Sequence, residues 1–236
     1  MQGEVVVRAA TAGDWAARAE LVRSSITEHD YEAFLMFFFQ ELTLQVCVLA
    51  GAVLFIFVGA SPAACALLLP AAAAGVALGV ALTHRARAAS CERRLRSEVG
   101  GFVAEYRGPP DAGPRAPPAR VLLRAGAAPA PGARLVGTVS LAECWGPRRS
   151  GWLHALAVAP RWRRRGVGAA LEAACRAHAA RAGLESLEAA ASQLQDAARA
   201  LLHVAGWETR GSYHRPVLGA ALTLPMTQLG VELPLA

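Results

Sequence analysis

Lysine is absent from this 236-residue chain: all 24 basic residues are arginine, set against 18 acids. In a sequence so rich in alanine, glycine and proline this uniformity reads as coding bias, so the net charge of +6 is no argument for nucleic-acid binding. Aromatics make up only 6% of the residues and, Trp162 apart, do not interleave with the arginines, so a base-stacking surface is not expected. The five cysteines (Cys47, Cys65, Cys91, Cys144, Cys175) are odd in number and lack metal-ligand spacing, which speaks against a disulfide framework and a zinc site. The polar, acidic first 41 residues lack the basic start and early apolar run of a cleavable secretory signal. The most informative absence is local. No Asp, Glu, Lys or Arg occurs from Leu42 to Leu82, in a chain that is 54% hydrophobic.

That block divides the chain into residues 1–41, 42–82 and 83–236. The first part holds 3 arginines against 7 acids, the last 21 against 11. As one helix the block would extend about 60 Å, roughly twice a hydrocarbon core. Gly59-Ala60-Ser61-Pro62 supplies turn chemistry in the middle. The expectation is a helical hairpin that either crosses a membrane twice or dips in and returns, with Pro70 weakening its second limb. Arg85, Arg87, Arg93, Arg94 and Arg96 follow at once, which by the positive-inside rule leaves both ends cytosolic.

Elsewhere a Val-rich strand near Val5 leads into a helix, Trp15 to Ser25, with apolar residues at helical spacing, and a second helix runs from Tyr31 to Gln40. Leu95, Val99, Phe102 and Tyr106 predict one apolar helix face over 91–106. Residues 107–120, with five prolines, read as an irregular loop. Segments 120–124 and 135–142 read as a hairpin. Strand 152–158, helix 168–182, strand 184–190, helix 193–205 and a closing pair, 207–211 with 217–224, complete an α/β fold with a mixed sheet.

The stretch from Val158-Ala-Pro160 to Arg163-Arg-Arg-Gly166-Val-Gly168 lies between a predicted strand and a predicted helix. Glycines at a helix N-terminus let backbone N–H groups approach a pyrophosphate, and the helix dipole favours its charge. Gln195-x-x-Ala198-x-x-Leu201-Leu202-x-x-x-Gly206-Trp207 follows at a fitting distance. These stretches resemble the two signatures of the GNAT acetyltransferases. The inserted apolar block and the C-terminal segment resemble the membrane-bound N-acetyltransferase 8 group of that superfamily. The resemblance implies a GNAT-like mixed sheet with an inserted membrane hairpin, and acetyl-CoA bound by Leu156, Ala157, Val158, Arg163, Arg164, Gly166, Val167, Gly168, Ala169 and Gln195.

It further implies a membrane-bound N-acetyltransferase that moves acetyl from acetyl-CoA to a primary amine of a small molecule or peptide. Its partners would be that acceptor and membrane lipid. The catalytic domain would be cytosolic, on an endomembrane such as the endoplasmic reticulum. Leu202 stands where many GNAT enzymes carry a tyrosine that protonates the leaving thiolate. The alternative is therefore a weak or inactive CoA-binding scaffold of the same fold. Tyr213 is the nearest other phenol. His154, expected to share a strand face with Leu156 and Val158, is the candidate base, its reference pKa of about 6.5 suiting deprotonation of an amine; packing inside the sheet is its other reading. Glu143 is a further candidate, acting through water.

Overall fold

A computed structural model describes residues 4–108, 120–123, 128–144, 149–218 and 222–234. One mixed sheet of eight strands organises the chain, in the order β3-β1-β2-β4-β5-β6-β8-β7. The N-terminal valines form β1 (Glu4–Ala9), whose Val5, Val6 and Val7 are buried. A turn closed by Asp14 on the Thr11 backbone then starts α1 (Trp15–Thr27), and α2 (Asp30–Phe38) follows.

The uncharged block is a helical hairpin. Its first limb is α3 (Glu41–Val53) prolonged by a π turn, Leu54–Val58; its second is α4 (Pro62–Ala66) running into α5 (Leu68–Leu95). Gly59 closes the first limb in the left-handed region at φ +68°, a conformation glycine adopts without strain. Pro70 does not break the second limb. It occupies the first turn of α5, just past the junction at Leu67, where its missing N–H costs little.

Past the hairpin two expectations are corrected. Residues 91–106 are not one helix: α5 ends at Leu95 and Gly100–Arg107 is strand β2, paired with β1 and with β4 (Arg134–Cys144). The four-residue spacing of Phe102 and Tyr106 fits one face of a strand as well as one face of a helix, and two neighbouring strands decide in favour of the strand. Nor do β3 (Arg120–Leu123) and β4 form a hairpin. β3 runs parallel to β1 at the sheet edge, and β4 lies between β2 and β5 (Ser150–Val158). Most of the Pro-rich segment 107–120 lies outside the described residues.

The rest follows the expected order: α6 (Val167–Arg181), β6 (Ser186–Ser192), α7 (Asp196–Val204), β7 (Glu208–Leu218) and β8 (Leu222–Glu232). The closing pair is longer than expected, and the stretch read as its second strand, 217–224, instead spans the end of β7 and the start of β8. The main core lies on the α6 side of the sheet, where Leu171 and Cys175 of α6 meet Val139, Leu141, Leu153 and Leu187, and Leu202 and Trp207 close one end. On the other side α1 packs on the C-terminal part of α5 and on Ala157. There α2 and the middle of α5 cover Leu222, Leu224 and Met226 of β8. The edge by β1 is pinned by a buried ionic cluster: Arg8 pairs with Asp14 and with Glu105, which also bonds Arg107 and the Ala130 N–H.

Candidate acetyl-transfer site

Three local features on β5 and just after it shape the site. The first is a gap in the sheet. β5 pairs with β6 only from Ser150 to Trp152, although β5 continues to Val158 and β6 to Ser192. Beyond Trp152 the β6-facing edge of β5 has no ladder partner among the described residues, which leaves its backbone groups to be paired by something other than the sheet.

The second feature is a bulge. Ser140 stands opposite His154 and Thr138 opposite Ala157, so three steps of β5 span two of β4. Ala155 absorbs the surplus at φ +53°, in the left-handed region. One inserted residue reverses which face each later side chain occupies. Leu156 and Val158 therefore pack on the main core, on the α6 side, while Ala157 turns to α1. His154, opposite Ser140, does not share a face with Leu156 and Val158. It lies on the α1 side, where Arg18 donates from Nε to Thr138 Oγ1 at 2.9 Å and from a terminal nitrogen to Ser140 Oγ at 2.8 Å. The same guanidinium holds Glu98 through two bonds of 2.5 and 2.6 Å.

Neither ring nitrogen of His154 is exposed or hydrogen-bonded among the described residues. Burial drives its pKa down from 6.5 to about 4; Glu98 opposes the shift, while Arg94 and Arg18 add to it. The imidazole is thus neutral across the physiological range and a far weaker base than its reference value implies.

The third feature is the turn into α6. Arg164 at φ +59° and Gly166 at φ +81° are both left-handed, and Gly166 is the N-cap of α6. A Cβ on Gly166 would meet nothing within 4 Å, so the glycine serves the backbone conformation and an open face. The first-turn N–H groups of α6, on Val167, Gly168 and Ala169, have no helical carbonyl ahead of them. Gly168 has another duty. A Cβ there would lie 2.6 Å from Leu201 Cδ1, so its smallness lets α7 approach α6.

Several expected ligands have partners already. Arg163 bonds Glu28, just past α1, at 2.9 and 2.5 Å and donates from Nε to the Val158 carbonyl at 3.0 Å; this pairing lowers the pKa of Glu28. It ties the turn to the α1–α2 junction instead of lining a cationic rim. Arg165 lies over the Trp162 ring. Gln195 caps the chain ahead of α7, its Oε1 accepting from the Ser192 N–H at 3.0 Å, so only its NH2 group remains to donate outward. Leu202 is buried in the main core, and Leu201 is the side chain against Gly168, so neither offers a hydroxyl. Tyr213 is partly exposed on β7, at the sheet edge, and Glu143 stands opposite Gly151, three residues back along β5 from His154.

One group was missed from the sequence. Arg87 and Cys91 of α5 lie near Arg215 and Tyr213 of β7; burial and the facing Arg215 lower the pKa of Arg87. Among the described residues neither arginine forms an ion pair with an acid. The spacing of 87, 91 and 94 puts these residues on one helical face, but the arginine run reads equally well as a topology signal.

A sheet split beside a bulged strand, followed by a glycine-led helix N-terminus, defines a mixed α/β fold with an open strand edge next to an anion-favouring helix start. Residues 115–207 match the model of the acetyltransferase (GNAT) family. The match covers the β5–β6 gap and the turn into α6, and the GNAT fold that this segment resembles binds acetyl-CoA. Among solved structures, an N-acetyltransferase from Staphylococcus aureus Mu50 aligns over 98% of this chain and 99% of its own, at 11% identity and a TM-score of 0.51. A ribosomal-protein-alanine N-acetyltransferase from Brucella melitensis aligns over 64% of this chain and 78% of its own, at 21% identity and a TM-score of 0.42. A Salmonella typhimurium protein solved with its cofactor acetyl-CoA aligns over 64% and 74%, at 17% identity and a TM-score of 0.43. No curated protein sequence matches the chain.

Proposed function

We propose that this protein is a membrane-bound N-acetyltransferase that moves an acetyl group from acetyl-CoA to a primary amine. The observation that carries the reading is the coincidence of the β5–β6 gap with the left-handed turn at Arg164–Gly166. Acetyl-CoA supplies an acetyl group activated as a thioester. The turn residues from Arg164 to Ala169 receive its pyrophosphate on backbone N–H groups. The free edge of β5 up to Val158 holds the pantetheine arm, and the outward NH2 of Gln195 is a further donor. An N–H on that edge stabilises negative charge developing on the acetyl oxygen.

The amine enters from the α1 and α5 side, where His154 faces. A neutral imidazole with a pKa of about 4 is a poor base toward an alkylammonium ion. It is better matched to the more acidic nitrogen that has already begun to bond carbon, taking that proton through an intervening water, because both ring nitrogens are buried. Arg87 and Arg215, without acid partners among the described residues, favour an acceptor that brings its own anion, and Tyr213 beside them is the proposed proton donor. The uncharged hairpin supports attachment of this domain at a membrane surface, and the arginines that follow it favour the cytosolic side.

A second reading, a CoA-binding scaffold with little turnover, is favoured by Leu201 and Leu202 alone. Detergent-purified protein with acetyl-CoA and an amine panel, read by release of CoA thiol, separates the two: binding without amine-dependent thiol release selects the scaffold. Gly166→Ala is the clean probe of the turn. It adds no steric contact and costs about 1–2 kcal/mol in the left-handed region, so acetyl-CoA affinity should fall about tenfold. Unchanged affinity would remove the turn from the cofactor site. Gly168→Glu is a poorer probe, because it also collides with Leu201.

A further inference from the structure

The hairpin has a length, and that length decides how it meets the bilayer. Val76 and Val80 of α5 are buried against α2 and β8, so the second limb belongs to the folded domain from Val76 onward. Only Pro62 to Gly75 projects beyond it, about 20 Å of helix at 1.5 Å per residue. The first limb has no buried residue between Glu41 and Val58 and spans about 26 Å, starting at an exposed carboxylate. A hydrocarbon core is about 30 Å thick.

The tip suits an apolar surround. Ala60 N–H donates to Leu54 O at 3.1 Å, Ser61 Oγ accepts from the Ala64 N–H at 3.3 Å, and the Cys65 N–H donates to Ser61 O at 3.0 Å. No residue near the tip carries a charge that would hold it in water on a far side. At the base, Phe34 stacks on Phe38 within α2, and Phe39 at the end of α2 meets Phe38 edge to face. Phe39 and Tyr31 are 65% and 69% exposed beside Asp30, Glu32 and Glu41, the arrangement of an interfacial aromatic belt.

We infer that the hairpin enters the membrane from one face without crossing it, its tip at Gly59-Ala60-Ser61 resting among acyl chains and its α2 aromatics at the headgroup level. The occupant of the bare helix faces is therefore lipid, and the hairpin does not reach the opposite aqueous side. This rests on the proposed membrane attachment. Because α5 runs unbroken from the bilayer into the core, where Thr83 Oγ1 donates to Val217 O at 3.2 Å and His84 Nδ1 bonds Asp30, the hairpin holds the domain at a fixed angle to the membrane.

The test uses the full chain in sealed vesicles of phosphatidylcholine with anionic lipid, carrying Ala60→Cys in a Cys47→Ala, Cys65→Ala background. A membrane-impermeant maleimide applied to either side should leave position 60 unmodified until detergent is added. A fluorophore placed there during purification in detergent should be quenched after reconstitution by lipids brominated deep in the acyl chains and little by headgroup quenchers. Labelling of membrane-retained protein from the side opposite the catalytic domain would overturn the inference and establish two crossings. Release of the whole chain by alkaline carbonate is a different failure: it would refute the membrane attachment itself.

Discussion

Acid should destabilise this protein through His154, in a pH window that belongs to that residue. In the unfolded chain the imidazole titrates near 6.5; in the folded protein burial holds it at about 4. Between these values the unfolded state binds a proton that the folded state refuses. The stability is therefore complete above pH 6.5 and is lost as the pH falls toward 4. At 1.36 kcal/mol per unit the loss between pH 7 and pH 5 comes to about 2 kcal/mol, which for a chain of this size corresponds to roughly 5 °C in melting temperature. The competing acid-sensitive groups act lower. Burial works against ionisation of Asp14 and Glu105, yet their bonds to Arg8 hold both pKa values below normal, Asp14 at about 2, so their contributions disappear only in stronger acid.

Thermal melts of detergent-solubilised wild type and His154→Gln at pH 7 and pH 5 isolate the effect, because the variant cannot bind the proton. The wild type should lose about 5 °C more than the variant across that interval. An equal loss in both would show that the imidazole is not buried as a neutral group. The same shift governs catalysis: the pH–rate profile should show no inflection near 6.5, and His154→Ala should lose rate by a similar factor across the pH range, because the imidazole acts only after the free amine has attacked.

Two further outcomes follow from the backbone and the buried charges. Ala155→Gly should raise stability by up to about 1 kcal/mol, since it removes left-handed strain of about 1–2 kcal/mol at the cost of glycine's greater unfolded freedom; a lower melting temperature would mean that the bulge is not under strain. Glu105→Ala should cost about 3–5 kcal/mol by stranding the buried Arg8 guanidinium and orphaning the Ala130 N–H, measurable by urea denaturation, whereas a loss under 1 kcal/mol would show that Asp14 alone satisfies Arg8.

The residues that could be read in advance are those whose role is set by near neighbours in the chain. The absence of charge from Leu42 to Leu82 and the turn residues at Gly59–Pro62 are local facts, and they give the hairpin. The glycines after Arg163 are local too: a strand, a tight turn and a helix N-terminus lie within a dozen residues, so the geometry of the turn is written where it is used. What could not be read depends on partners distant in sequence. Strand β3 lies along β1 because an edge was open there, and Phe102 and Tyr106 are in a strand because β1 and β4 flank them. The face of His154 was settled by one residue of surplus at Ala155, visible only when β5 is laid against β4; its pKa was settled by burial between α1 and the sheet and by Arg18, Arg94 and Glu98. Arg87 and Arg215 meet because α5 crosses β7, and the reach of the hairpin was fixed by Val76 and Val80 sinking into the domain. A period of two or 3.6 residues survives in a linear sequence, but burial, register and the distance between charges are properties of the folded chain alone.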